Sequence, residues 1–310
     1  MSLLFLCPTK DPAPWLAGIK AVDPDIDVQV WPDISHPDDV SFALLWQHPH
    51  DVFTRFKNLK AIASLGAGID HILQDPTIPR HLPVARIVDP NLVASMTQYV
   101  VTAVLHSFRD FDLYKQQQTT QTWRPAAPRN IADFPVGIMG MGMLGSDAAQ
   151  ALAALGFTVY GWRRSGPAHP ALEASFAGEA MLPAFLEKTR ILVCLLPLTT
   201  ATRGILNTDV FSRLQPNAYL INVARGAHVV DSDLLEALGN GSLQGACLDV
   251  FNEEPLPADH PFWRHPQITV TPHVASITNP QTAAVQVVEN YHRANAGQPL
   301  LHAVDLGREY

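Results

Sequence analysis

Residues 136–145 read Val-Gly-Ile-Met-Gly-Met-Gly-Met-Leu-Gly, a short apolar run that passes into Gly140, Gly142 and Gly145 at the spacing G-x-G-x-x-G. The run has strand length, and the residues that follow, to Leu155, suit a helix. In that setting Gly140 permits a tight turn, Gly142 lets the backbone approach a pyrophosphate, and Gly145 lets helix and strand pack closely. Met143 and Leu144 open the helix, whose N-terminus favours an anion. The glycines alone would fit any strand-to-helix turn, so the flanking rhythm has to decide.

Downstream that rhythm continues. Apolar runs at Thr158–Tyr160, Ile191–Leu196, Ala218–Val223, Cys247–Val250 and Ile268–Thr271 alternate with helical segments and, with Pro135–Gly140, predict six strands. Continuous rather than alternating apolar runs suit parallel strands covered on both faces, and the count fits a doubly wound sheet with a dinucleotide crevice at its carboxyl edge. Upstream, Leu3–Cys7, Val28–Trp31, Phe42–Trp46, Ala61–Leu65 and Val84–Val88 predict a second, smaller α/β unit. Asp89-Pro90 then reads as a helix start. Met96, Val100, Val101, Val104, Leu105, Phe108 and Phe111 give one apolar face, predicting a single helix to about Gln116 that joins the two units. Trp123–Asp133 reads as a loop, and Pro280–Asn295 as a last helix whose packing partner the sequence leaves open.

The 310 residues carry 21 Lys+Arg against 29 Asp+Glu, a net charge of −8 that offers no field for nucleic acid. An apolar share of 47% against 16% charged describes a globular chain with a real core and excludes disorder. The opening Met1–Pro8 has no basic n-region and too short an apolar run for a signal peptide, and no stretch has the length to cross a bilayer, so the expected location is cytoplasmic without membrane contact. Cys7, Cys194 and Cys247 are far apart and flanked by strand-like residues. They read as buried free thiols, with no disulfide framework or metal spacing.

A dinucleotide fold that prefers NAD carries an acid about twenty residues after the glycines, at the end of the second strand. Here that position reads Tyr160-Gly161-Trp162-Arg163-Arg164. Two guanidinium groups suit a 2′-phosphate, which points to NADP(H), with NAD(H) as the alternative.

Three further segments fall at predicted strand ends: Asn222-Val223-Ala224-Arg225-Gly226, Leu248-Asp249 through Glu254-Pro255, and Thr271-Pro272-His273-Val274-Ala275. Taken singly, each has an ordinary reading as a surface ion pair, an acidic turn or a structural histidine. Together, at the carboxyl edge of a dinucleotide fold, an arginine, a carboxylate and a histidine can meet beside a nicotinamide. Histidine titrates near neutrality and suits proton delivery, a neighbouring Glu254 favours its protonated form, and Arg225 can hold a carboxylate and polarise a carbonyl. Asp249 reads either as orienting the site or contacting the nicotinamide amide, or as a structural cap. Histidines such as His48, His71 and His169 lack such a setting and are expected at the surface or in packing.

The order and spacing of these segments, with Leu196-Pro197-Leu198-Thr199, Ser95-Met96 and Gly66-Ala67-Gly68-Ile69-Asp70, resemble the D-isomer-specific 2-hydroxyacid dehydrogenases over nearly the whole chain. Within that family the short chain and the basic cofactor loop look most like NADPH-preferring glyoxylate/hydroxypyruvate reductases. The resemblance implies a Rossmann nucleotide domain, 96–278, inserted into a flavodoxin-like substrate domain made of 1–95 and 279–310. It implies reduction of small 2-oxo acids to 2-hydroxy acids by Arg225, Glu254 and His273. Gly140, Gly142, Met143, Leu144, Gly145, Arg163, Arg164, Leu196, Pro197, Val223, Ala224, Asp249 and Ala275 would hold the cofactor. Substrate would meet Arg225, His273, Trp46 and the backbone N–H groups of Gly66, Ala67 and Gly68. A homodimer through the long helix is also implied. D-Lactate or 3-phosphoglycerate dehydrogenase activity, and a non-catalytic nicotinamide-sensing protein of the same fold, are the competing readings.

Overall fold

The computed structural model describes residues 1–164 and 172–307; His169 lies outside the described residues. The chain divides into two compact units, Met1–Leu92 with Ile277–Tyr310, and Val93–Ser276, against boundaries of 95/96 and 278/279 read from the sequence.

The first unit runs β1 (Ser2–Leu6), α1 (Ala13–Val22), β2 (Asp27–Val30), β3 (Val40–Leu45), β4 (Ala61–Ser64), α2 (Asp70–Leu73) and β5 (Val84–Ala85). Its strands form one parallel sheet in the order β2-β1-β3-β4-β5. Every residue of β1, β3 and β4 is buried, the state that uninterrupted apolar runs encode. β5 keeps only two residues of the run expected there: Ile87 N–H leaves the ladder to bond the Gly66 carbonyl, and Val88 N–H bonds the Gln286 side chain.

Where the second unit begins, the expected single helix is two, α3 (Pro90–Phe108) and α4 (Phe111–Thr119). Asp110 breaks it with a left-handed φ of 59°. Arg129 holds the break open, since its guanidinium pairs with the Asp110 carboxylate and donates to the freed carbonyls of Ser107 and Phe108. The apolar face runs through both helices, so periodicity alone could not show the interruption.

The second unit continues with β6 (Val136–Met139), α5 (Met143–Ala154), β7 (Val159–Arg163), β8 (Ala174–Ala177), α6 (Leu182–Leu186), β9 (Ile191–Cys194), α7 (Thr208–Arg213), β10 (Ala218–Asn222), α8 (Asp231–Gly239), β11 (Leu243–Leu248) and β12 (Ile268–Val270). The sheet has seven strands in the order β12-β11-β10-β9-β6-β7-β8, one more than the sequence suggested. The additional strand, β8, reads Ala-Ser-Phe-Ala and buries only Phe176, the weak pattern of an edge strand. The final helix, α9 (Pro280–Asn295), belongs to the first unit. Asn279 caps it by accepting the Gln281 N–H, and Gly18 of α1 sits so close to Pro280 and Ala284 that a side chain there would collide with the Pro280 carbonyl. That contact fixes the return path.

Candidate active site

In the second sheet the chain winds outward in opposite directions from β6 and β9, so the crevice outside their carboxyl ends is the topological switch point. The glycine turn lies there. Gly140 has φ +103°, and a side chain on it would meet the Leu195 carbonyl oxygen at 2.5 Å. On Gly145 a Cβ would lie 2.0 Å from the Gly140 carbonyl oxygen. Around Gly142, by contrast, nothing lies within 4 Å of a Cβ position, which leaves an open approach to the first turn of α5. Two glycines are thus demanded by packing and one by access, the arrangement a pyrophosphate needs.

At the end of β7, Arg163 is half-buried; its carbonyl accepts the Gly178 N–H at 3.0 Å, while its guanidinium makes no hydrogen bond or ion pair among the described residues. Arg164 is exposed and donates to Thr199 Oγ1 at 3.4 Å, reaching the loop after β9. That loop is held by Thr202, whose hydroxyl donates to the Pro197 carbonyl at 2.7 Å. No carboxylate occupies residues 159–164, so a ribose bearing a 2′-phosphate fits this edge better than one with free hydroxyls. Leu196, Val223, Ala224 and Ala275 are buried with their side chains in the two cores flanking the sheet, which leaves their backbones for any cofactor contact.

The three segments after β10, β11 and β12 converge. Asn222 folds the first: its amide donates to the Arg225 carbonyl at 2.9 Å while its oxygen accepts the Ala224 N–H at 3.2 Å. Glu254 Oε2 lies 2.7 Å from His273 Nδ1, and Glu254 Oε1 accepts the Phe251 N–H at 3.0 Å. Burial opposes ionisation of Glu254. The hydrogen bonds from His273 and Phe251, with the charges of His273 and Arg225, outweigh it and hold the carboxyl below its ordinary value. That Arg225 acts on Glu254 brings all three groups into one electrostatic neighbourhood.

Asp249 is fully buried, and both of its oxygens are spent on the histidine loop. Oδ1 accepts the Val274 N–H and the Thr271 hydroxyl at 2.9 and 2.6 Å, and Oδ2 accepts the Ala275 N–H at 2.9 Å. These bonds give Asp249 a part in orienting the histidine loop. It supports His273 at φ +53°, a conformation costing about 1–3 kcal/mol in a non-glycine residue.

Beneath Asp249 lies a group that sequence reasoning missed. Because the Thr271 hydroxyl donates to Asp249, the Tyr99 hydroxyl 2.5 Å away must donate to Thr271. The available signal was a tyrosine on the apolar face of α3, since a buried hydroxyl seeks a partner. His228, also missed, is fully buried, with Nδ1 3.1 Å from the Arg225 carbonyl and Nε2 3.3 Å from the Pro197 carbonyl, and so ties the β9 loop to the β10 loop.

In the first unit, the edge of the half-buried Trp46 ring packs on Gly66, with Cζ3 3.0 Å from where a Cβ on that residue would lie, and the centroids of the Trp46 and His71 rings, tilted by 50°, are 4.8 Å apart. The Gly66 N–H is already taken by Ser64 Oγ at 3.2 Å, which also donates to the Gly68 carbonyl at 2.7 Å. Of the three backbone donors expected there, Ala67 and Gly68 keep theirs free among the described residues. His48 is a packing residue of a special kind, buried with Nε2 3.0 Å from Asp75. Cys7, Cys194 and Cys247 are buried and unpaired, and burial pushes the Cys194 thiol up to about 12. No cluster of three or more metal-ligating groups occurs among the described residues, and no helix there is long and apolar enough to cross a membrane.

Comparison with known proteins fits this geometry. The family model for the D-isomer specific 2-hydroxyacid dehydrogenase, NAD binding domain, matches residues 101–275. Glyoxylate/hydroxypyruvate reductase A of Serratia proteamaculans is 43% identical over 99% of each chain, and that of Yersinia enterocolitica 42% identical over the full length of both. Among solved structures, a D-isomer specific 2-hydroxyacid dehydrogenase from Xanthobacter autotrophicus, in complex with NADPH and MES, superposes with a TM-score of 0.95 at 40% identity, covering 100% of this chain and 99% of that one. An NADPH-dependent glyoxylate/hydroxypyruvate reductase from Sinorhizobium meliloti, in complex with NADP and sulfate, gives 0.92 at 38% identity over 100% of both.

Proposed function

This chain belongs to the D-isomer-specific 2-hydroxyacid dehydrogenase family, and on that premise we propose that it is an NADPH-dependent reductase of glyoxylate and hydroxypyruvate, forming glycolate and D-glycerate. The observation that carries this reading is the 2.7 Å contact between His273 Nδ1 and Glu254 Oε2, under the charge of Arg225.

When bound, the nicotinamide supplies hydride to C2 of the 2-oxo acid. Charge then grows on the carbonyl oxygen, and the protein must meet it. Nδ1–H of His273 donates to Glu254, which fixes the ring and leaves the Nε2 proton to be delivered to that oxygen. With about a third of its side chain exposed, His273 can regain its proton from water. Arg225 holds the substrate carboxylate and polarises the carbonyl, a fixed charge placed where negative charge develops. The free N–H groups of Ala67 and Gly68 take a carboxylate oxygen.

Gly142 and the first turn of α5, with Met143 and Leu144, would hold the pyrophosphate, and Arg163 and Arg164 the 2′-phosphate. The reaction is tested by the loss of reduced-nicotinamide absorbance when NADPH is mixed with glyoxylate, hydroxypyruvate, pyruvate or phosphohydroxypyruvate. Turnover of the first two above the others is expected. Preference for pyruvate or phosphohydroxypyruvate would replace it by the D-lactate or 3-phosphoglycerate reading, and no turnover by a nicotinamide-binding protein.

The homodimer is proposed on the exposed apolar side chains of α4 and the loop after it, Phe111, Leu113, Tyr114 and Trp123, the last 97% exposed. Sedimentation of the wild type as a monomer at micromolar concentration would sink it.

A further inference from the structure

The first sheet has a switch point of its own. In the order β2-β1-β3-β4-β5 the chain leaves β1 to one side for β2 and passes to the other for β3, so ligands are expected outside the carboxyl ends of β1 and β3. Lys10 follows β1 and Trp46 immediately follows β3, while the Gly66–Gly68 turn follows β4, the next strand along. The Lys10 ammonium lies over the Trp46 ring, 5.9 Å from its centroid, and the edge of the same ring rests on Gly66. Cation, aromatic floor and free N–H groups thus form one row across three adjacent strand ends, a span of about 10 Å at the usual spacing of strands.

The row is anchored. Thr9, beside Lys10, donates its hydroxyl to Gln47 Oε1 at 3.3 Å, tying the β1 loop to the β3 loop. The neighbouring acid makes no ion pair with the lysine; Asp11 Oδ1 instead accepts the Ala13 N–H at 3.0 Å, at the start of α1. Among the described residues Lys10 has no carboxylate partner. An ammonium held over an indole and left without a counter-ion is a recognition element for an anion.

We propose that Lys10 is a specificity-determining residue that extends the substrate range to 2-oxo acids carrying a second carboxylate beyond the carbonyl. The first carboxylate occupies the Ala67–Gly68 donors and the second reaches Lys10 across Trp46. Hydride at C2 and a proton on its oxygen give the 2-hydroxy dicarboxylate, with no other bond changed. This rests on the reductase reading of the protein.

The test compares kcat/KM with NADPH for oxaloacetate and for its 4-methyl ester, which has nearly the same shape but lacks the distal charge. The wild type is expected to prefer the diacid, with a preference that declines as ionic strength rises. Lys10→Met should lower the diacid-to-ester ratio about tenfold, the effect of roughly 1.4 kcal/mol, and Lys10→Arg should restore most of it. An unchanged ratio in Lys10→Met, or a wild type that reduces glyoxylate but shows no preference for the diacid, overturns the role of Lys10 alone. A wild type that reduces none of these substrates overturns the reductase reading with it.

Discussion

Glu254 grips both ends of its own chemistry: one carboxylate oxygen lies 2.7 Å from Nδ1 of His273 and the other accepts the Phe251 N–H at 3.0 Å. The second bond fixes the carboxylate, and the fixed carboxylate fixes the ring. His273→Ala should therefore lower kcat about 10²–10⁴-fold, the range of a lost general acid, with NADPH affinity measured by fluorescence quenching unchanged. Equal losses in both would show a collapsed site instead.

The same pair sets the pH profile. Glu254 is held below its ordinary value, so its contribution to stability is present above about pH 4.3 and is lost only as the pH falls through the lower folded value. Across the neutral range it stays charged and keeps its hold on the His273 ring, so reduction should decline on the acid side only as the pH falls far enough to protonate the carboxylate. Glu254→Gln removes the titrating carboxylate, so that acid-side decline should vanish and kcat/KM should lie below the wild type at neutral pH. A profile of kcat/KM identical to the wild type would remove Glu254 from the mechanism.

Arg225 tests planar recognition. Arg225→Lys keeps the charge but loses the fork, so kcat/KM for glyoxylate should drop by about 10-fold or more, whereas Arg225→Ala should lose binding and turnover together. Full activity in the lysine variant would show that a point charge suffices.

Cofactor choice is expected to sit in two side chains. Arg163→Ser with Arg164→Ser removes charge-assisted bonds worth about 1.5–3 kcal/mol each, so the ratio of kcat/KM for NADPH over NADH should fall at least tenfold. A ratio that does not move would place the phosphate elsewhere.

His48 supplies a stability prediction. Burial pushes its imidazole below its ordinary value despite Asp75, while bonds from Thr77 and His48 keep Asp75 ionised against burial. The unfolded chain accepts a proton at His48 below about pH 6.5 that the folded unit refuses, so stability is full above that pH and falls by up to about 1.4 kcal/mol per pH unit below it. His48→Gln, which keeps a donor for Asp75, should flatten the dependence of the melting temperature between pH 7.5 and 5.5. A slope equal to the wild type would assign the acid sensitivity to another group.

Much of this protein was legible in one dimension. Parallel strands buried on both faces must be continuous apolar runs, so the runs at Leu3–Cys7 and Ile191–Leu196 announced themselves, and Gly140 and Gly145 could be read because no other residue fits where they pack. The arginine, carboxylate and histidine were visible because strand ends share one edge. Other features depend on contacts between residues far apart in the chain. The break at Asp110 exists because Arg129 captures the carbonyls it frees, and the orientation of His273 exists because Asp249, Thr271 and Tyr99 form one buried chain of hydrogen bonds. Periodicity records which face of an element is apolar. It carries no record of which distant polar group will satisfy a hydrogen bond, and that was settled only when the chain folded.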